Sequence, residues 1–106
     1  MVYLICFERP FGHAHHYIGY SDDSRFAARI ECHRKGRGSR LLRAVNEAGI
    51  NWKVVRTWPG KDGNFERKLK NRKKAWQLCP VCHQMMLERM KEGNNHGKQL
   101  LLQLCQ

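Results

Sequence analysis

Apolar and polar residues follow three rhythms along this chain. VYLICF, residues 2–7, is an unbroken apolar run rich in β-branched and aromatic residues and closed by Pro10 and Gly12, which predicts a buried strand. The loop RPFGHAH leads into HHYIGY, a second strand, and two strands this close predict an antiparallel hairpin. Asp22, Asp23 or Ser24 then offers a cap for a helix reaching about His33, with Phe26, Ala27 and Ile30 as its apolar side, before KGRG breaks it. Ser39 suits the N-cap of a second helix, since Leu41, Leu42, Val45 and Ala48 share one face and Gly49 is placed to end it. Next, NWKVVRTW alternates as a third strand and stops at Pro59 and Gly60. A third helix begins between Asp62 and Phe65 and carries Glu66, Leu69 and the run KLKNRKK. In LCPVCHQMMLERM, Pro80 fits the first turn of a fourth helix, GNNHG reads as a turn, and QLLLQLC as a short terminal helix over the core.

Length adds that 106 residues form one domain with a single core. Charge changes the picture more. The formal net charge is +11, and it is concentrated: from Arg25 to Lys74 there are sixteen Lys and Arg against four acids. Such an excess on half of a small protein repels itself unless a polyanion neutralises it, so nucleic acid is the leading partner. The longest apolar run before the tail is too short to span a membrane, and its flank of Glu8 and Arg9 does not suit a secretory signal. A cytoplasmic protein is expected, with five cysteines serving as free thiols or metal ligands rather than disulfides.

In the helix after the hairpin, Arg25, Arg29 and His33 recur every fourth residue and so share one face. Tyr17-Ile18-Gly19 stands just before it, and Met1-Val2-Tyr3 opens the first strand. Further on come a Gly-rich turn and then Glu66, the sole acid between Gly63 and Ala75. Taken in order, these residues resemble the GIY-YIG nuclease family, in its small stand-alone type with a C-terminal CPxC. The resemblance covers residues 1–83. YIG is intact, whereas of the first motif only Tyr3 is kept in identity. It implies an α+β fold, a small three-stranded antiparallel sheet flanked by helices, with residues 84–106 as a helical extension packed on the same domain.

Phosphodiester hydrolysis needs an aimed nucleophile, a base, and positive charge on the phosphoryl and leaving oxygens. By the resemblance, Tyr3 and Tyr17 supply the base that activates water and a phosphate contact, in an order that stays open. Because a free phenol ionises near pH 10, a neighbouring Arg and a metal would have to lower its pKa. Arg29 clamps the scissile phosphate with its guanidinium fork, and His33 bonds a tyrosine or the phosphate. Glu66 holds Mg²⁺ or Mn²⁺ through one carboxylate plus waters. Read without the family, Glu66 is an i,i+4 partner for Lys70. The family also has an Asn beyond the Glu; Asn71 follows by five residues, while the matching position reads Lys74. Gly19 suits either a site floor approached closely by a neighbour or an ordinary turn or bulge.

The DNA-contacting surface is expected from Arg25, Arg34, Lys35, Arg37, Arg40, Lys68, Lys70, Asn71 and Lys74, with GRGSR as a generic anion-binding arrangement. Trp52, Trp58 and Trp76 are base-stacking candidates, although core packing is the better reading for at least two of them. Cys79-Pro-Val-Cys82-His83 has half of a zinc-site spacing. The completing ligands would come from His83, Cys32, Cys105 or the HAHH loop, none at a diagnostic interval, so a structural Zn²⁺ and a packed thiol pair both stand. The same letters match a c-type haem attachment, which lacks an export signal and a distal ligand here.

The expectation is therefore a divalent-metal-dependent endonuclease acting on DNA, as a monomer or as a homodimer joined through the Leu-rich tail. A catalytically weak or inactive nucleic-acid-binding module on the same fold is the alternative, and a small zinc-stabilised interaction protein is a third class.

Overall fold

The computed structural model describes residues 1–72 and 75–96. Strand β1 (Val2–Phe11) lies between β2 (Ala14–Tyr20) and β3 (Trp52–Trp58), and both neighbours run antiparallel to it. Helices α1 (Phe26–Arg34) and α2 (Arg40–Glu47) come between β2 and β3; α3 (Gly63–Arg72), α4 (Ala75–Leu78) and α5 (Pro80–His96) follow. The fold is thus α+β, with a small antiparallel sheet flanked by helices. No helix among the described residues is long and apolar enough to cross a membrane.

The run VYLICF is apolar throughout because β1 is buried on both faces. Side chains alternate across a strand. Val2, Leu4 and Cys6 therefore point to one side, where they meet Ile18, Leu69, Leu78 and Cys79. Tyr3, Ile5 and Phe7 point to the other, against Leu42, Val45, Ile50 and Trp52. The third strand pairs with a slip between Leu4 and Ile5, where one extra residue is taken up on β3.

Local signals explain the helix ends. Ser39 accepts a hydrogen bond from the Leu42 N–H at 3.2 Å, capping α2, and Gly49 leaves the helix with φ +73°, the left-handed conformation glycine adopts without penalty. The Asp62 carboxylate accepts from the N–H groups of Asn64 and Phe65 at the start of α3. Pro80 occupies the first position of α5, as the sequence predicts.

Three expectations change. RPFGHAH is mostly strand: pairing continues to Phe11 opposite Ala14 after an irregularity, leaving Gly12 and His13 as the turn. None of Asp22, Asp23 and Ser24 caps α1; Asp23 begins a single 3-10 turn and its carboxylate accepts from the Gly60 N–H at 3.2 Å instead. The GNNHG turn is also absent over its described part, because α5 continues through Gly93 to His96, and it passes residue 83 without a break. The QLLLQLC segment, with Cys105, lies outside the described residues.

Gly19 lies inside β2 directly opposite Tyr3. Its φ is ordinary; what requires glycine is space, since a Cβ there would stand 2.5 Å from the Tyr3 hydroxyl oxygen. Gly19→Ala must therefore push the Tyr3 ring off its seat, and an expected loss of about 1–3 kcal/mol follows from overpacking. Thermal or urea unfolding checks this, with Gly63→Ala as comparator because a Cβ at Gly63 meets nothing within 4 Å. Equal stability of the two variants would mean that the ring is not held over Gly19.

Candidate functional site

Alternation along β1 and β2 sends Tyr3, Tyr17 and Gly19 to the face covered by α1 and α2. Tyr3 is fully buried there and Tyr17 half-buried, with ring centroids 6.4 Å apart. Phe26 packs edge-on against Tyr3 at 5.4 Å. From α1, His33 enters between the phenols: its ring lies 6.0 Å from Tyr3 and meets Tyr17 edge-on at 5.5 Å. His33 is the one fully enclosed side chain of α1, so a polar residue anchors this helix to the sheet.

Hydrogen bonds set the orientation of that imidazole. His33 Nδ1 is 3.1 Å from the Arg37 carbonyl oxygen, which can only accept, so Nδ1 carries the proton. Nε2, 2.8 Å from the Tyr3 hydroxyl, is then the acceptor, and the phenol donates to it. Burial lowers the His33 pKa from its ordinary value, the Arg37 carbonyl opposes that shift, and the nearby Arg29 charge reinforces it. The ring is neutral at pH 7, as the acceptor role requires. Burial pushes the Tyr3 phenol up to about 12 against the lowering influence of Arg29, with the negative charge of Glu66 adding to the rise. Tyr3 therefore remains protonated and acts as a donor.

Arg29 lies on the same wall. Its Nη2 reaches the Gly38 carbonyl at a long 3.5 Å, while its Nε is buried with no hydrogen-bond partner among the described residues. A buried donor without an acceptor is costly unless a ligand oxygen or a shift of the side chain satisfies it. Gly38, at φ +84°, allows this packing: a Cβ would stand 3.2 Å from Arg29 Nη1 and 3.5 Å from His33 Cε1. The GRGSR segment thus serves first as a brace, with Arg37 holding His33 and Gly38 holding Arg29. Arg25 and Arg29 also line an open depression of about 440 Å³.

Glu66 is in the first turn of α3, the helix that packs beside β2. Its carboxylate pairs with Lys70 at 3.2 Å, so the i,i+4 partnership allowed by the sequence is formed, and its side chain keeps 22% exposure. The Lys70 ammonium lies 6.0 Å from the Tyr17 ring centroid, which places the pair beside the phenols. An i,i+4 ion pair contributes only about 0.3–0.5 kcal/mol. A single hard oxygen ligand completed by waters is the kind of donor that Mg²⁺ or Mn²⁺ takes.

The expected DNA-contacting residues divide by environment. Arg34, Lys35 and Arg37 line an open basic depression of about 540 Å³ together with Arg43. Arg34 is less available than expected, because it stacks over Trp52 at 4.0 Å and donates to the Trp52 carbonyl at 3.3 Å. Lys35 makes an exposed 4.0 Å pair with Glu31. Arg40, Lys68 and Asn71 are exposed, and Lys74 lies outside the described residues. Trp52 is buried and Trp58 packs on the core, whereas Trp76 is partly exposed. A contribution that sequence reasoning missed is Asn46, which donates to the His33 carbonyl at 2.9 Å and accepts from Trp52 Nε1 at 2.8 Å, joining α1, α2 and β3. No helical periodicity marks it, since the role depends on three elements meeting.

On the opposite face of the sheet, Cys6, His16, Cys79 and Cys82 bring their ligand atoms within 4.8 Å of one another, a group able to hold a metal ion. Cys79 and Cys82 are joined from the hairpin by His16, a member of the HAHH loop, and by Cys6, which the apolar run conceals. Cys32 is exposed and His83 faces Trp76, outside this set. Burial raises the Cys6 and Cys82 thiols and lowers His16 to about 4.

No protein-family model, curated protein or solved structure matches the chain.

For His33, a folded-state pKa below the ordinary 6.5 means that the unfolded chain takes up the proton first on acidification. The stability associated with the neutral ring is present above about 6.5 and is lost as pH falls below it. Urea unfolding between pH 7.5 and 5 is expected to show this decline, and His33→Gln to flatten part of it. A wild-type profile of the same slope as His33→Gln would contradict a neutral, buried imidazole.

Proposed function

We propose that this chain is a phosphodiester hydrolase, and specifically a divalent-metal-dependent DNA endonuclease of the GIY-YIG type. The observation that carries this reading is the cluster on one sheet face, two phenols around a neutral imidazole and an arginine whose buried Nε has no partner among the described residues, with the Glu66–Lys70 pair of α3 approaching from beside β2, its ammonium 6.0 Å from the Tyr17 ring.

Each residue then has a role set by its accessibility. Arg29 grips the non-bridging oxygens of the scissile phosphate, which would give its Nε an acceptor. Tyr17, the half-buried phenol, contacts the attacking water and aligns it behind phosphorus. Tyr3 is enclosed and has its hydroxyl committed to His33, so it positions the imidazole and Arg29 rather than touching substrate. Glu66 would hold Mg²⁺ or Mn²⁺ once Lys70 swings aside. Such an ion supplies Lewis-acid stabilisation of the phosphoryl and leaving oxygens and an acidified water. Arg25, Arg37, Arg40 and Lys68 flank the cleft as the backbone-binding surface, neutralising phosphates without reading sequence. In this reading a zinc held by Cys79 and Cys82 lies across the sheet and takes no part in hydrolysis.

A second reading, a nucleic-acid-binding module without catalysis, draws on the Glu66–Lys70 ion pair and on the complete burial of Tyr3. One assay separates the two. Plasmid and oligonucleotide DNA incubated with Mg²⁺ or Mn²⁺ are expected to be cut by wild type. Glu66→Ala and Arg29→Ala should each lower the rate at least about 100-fold, as expected for loss of a metal ligand or an electrostatic clamp. Glu66→Ala should retain DNA affinity, and Tyr17→Phe should lose rate with affinity unchanged. Wild type that binds DNA as Glu66→Ala does while neither cuts would leave the binding module as the answer.

A further inference from the structure

The four ligand atoms across the sheet come from separate parts of the chain. Cys6 is on β1 and His16 is its direct partner on β2, so the antiparallel register alone puts one thiol beside one imidazole. Cys79 is buried between α4 and α5, and Cys82 follows in the first turn of α5. All four face the layer built from Val2, Leu4, Ile18, Leu69 and Leu78.

All four ligand atoms lie within 4.8 Å of one another, and two of the distances match those of a coordination sphere. Two thiolates at about 2.3 Å from a tetrahedral centre are about 3.8 Å apart, and a thiolate and an imidazole nitrogen about 3.5 Å. Cys6 Sγ and Cys82 Sγ are 3.7 Å apart, and Cys82 Sγ and His16 Nε2 are 3.3 Å apart. The Cys82 N–H also points to Cys79 Sγ at 3.5 Å, an amide donor of the sort that steadies a ligating sulfur. A pocket of about 380 Å³, lined in part by Cys6, Cys82, His15 and Val81, opens onto the group and gives an ion a route in.

We propose that Cys6, His16, Cys79 and Cys82 bind one Zn²⁺ as a closed, structural site that clamps the start of α5 to the hairpin. Three sulfurs and one imidazole nitrogen form a soft, four-membered set that selects zinc over Mg²⁺ or Mn²⁺, which take oxygen ligands. With all four positions taken by protein there is no open position for water, so the ion is structural. Its mechanical effect follows from the ligands' places in the chain. Cys6 and His16 sit on the two strands whose other face carries Tyr3 and Tyr17, so the clamp fixes that strand pair and docks the C-terminal helices onto it. The inference stands on this geometry and not on the hydrolase reading.

The test uses the full chain. Metal analysis after purification in the presence of zinc should give about one zinc per chain for wild type, and the same for Cys32→Ser, which removes a thiol outside the group. Cys82→Ser and His16→Ala should each drop to below about a tenth of that value, and zinc removal from wild type should lower the Tm by several degrees. Cobalt substituted into wild type should give the intense visible d–d bands of a tetrahedral site together with near-ultraviolet charge-transfer absorption from three thiolates. That spectrum decides the matter even where a variant does not fold. Absence of both zinc and a tetrahedral cobalt spectrum would overturn the proposal. So would a disulfide among these cysteines, or a site whose spectrum is unaffected by Cys6→Ser.

Discussion

The hydrogen bond from the Tyr3 hydroxyl to His33 Nε2 is the contact on which the rest of the phenol face depends. It joins the central strand to α1 at a point from which water is excluded, where an unpaired phenol or imidazole would cost about 1–3 kcal/mol. Three other features exist to make it possible. Gly19 clears the space for the ring, the Arg37 carbonyl selects the tautomer that accepts, and Asn46 holds the end of α1 through the His33 carbonyl. Arg29, one turn before His33 on the same helix face, is carried into position by this bond.

Pleat parity in the hairpin then divides the molecule into two chemistries. Tyr3 and Cys6 differ in parity on β1, as do Tyr17 and His16 on β2, so one pair of strands presents phenols to one face and a thiol and an imidazole to the other. A one-residue slip in register would exchange them. Burial of β1 on both faces opposes that slip, because it would force Tyr3 and Cys6 to trade surroundings of very different size and polarity.

Much of the frame was legible in the sequence because it rests on local signals. The apolar run, the Ser39 cap, Gly49 and Pro80 all act within a few residues of themselves, and each sits where the pattern placed it. Of the four-residue stripe expected on one helix face, Arg29 and His33 do share a face of α1, whereas Arg25 ends the 3-10 turn before it. What periodicity could not say is that its members have different fates, with His33 enclosed under Tyr3 while Arg25 stays exposed. Cys6 was hidden for a related reason: within a continuous apolar run a cysteine reads as one more small hydrophobe, and only strand pairing with His16 and the return of the chain at Cys79 bring it into a group able to hold a metal ion. Arg34 likewise read as part of the DNA-contacting surface, because its stacking partner, Trp52, is far away in sequence. The fold class, by contrast, was expected from the family resemblance that the order of strands and helices helped to carry, and the α+β fold is what the chain forms.

At Glu66 the balance of forces bears most directly on function. A partly buried ion pair with Lys70 holds the carboxylate, and in the proposed reading a divalent ion, which an approaching phosphate would help to bind, takes the place of that ammonium. The direct measurement is anomalous diffraction from crystals of the full chain soaked in Mn²⁺. The account expects a peak bonded to the Glu66 carboxylate, on the side facing Tyr3 and Tyr17, with the Lys70 ammonium displaced. Lys70 still bridged to Glu66, with manganese absent there at saturating concentration, would contradict it.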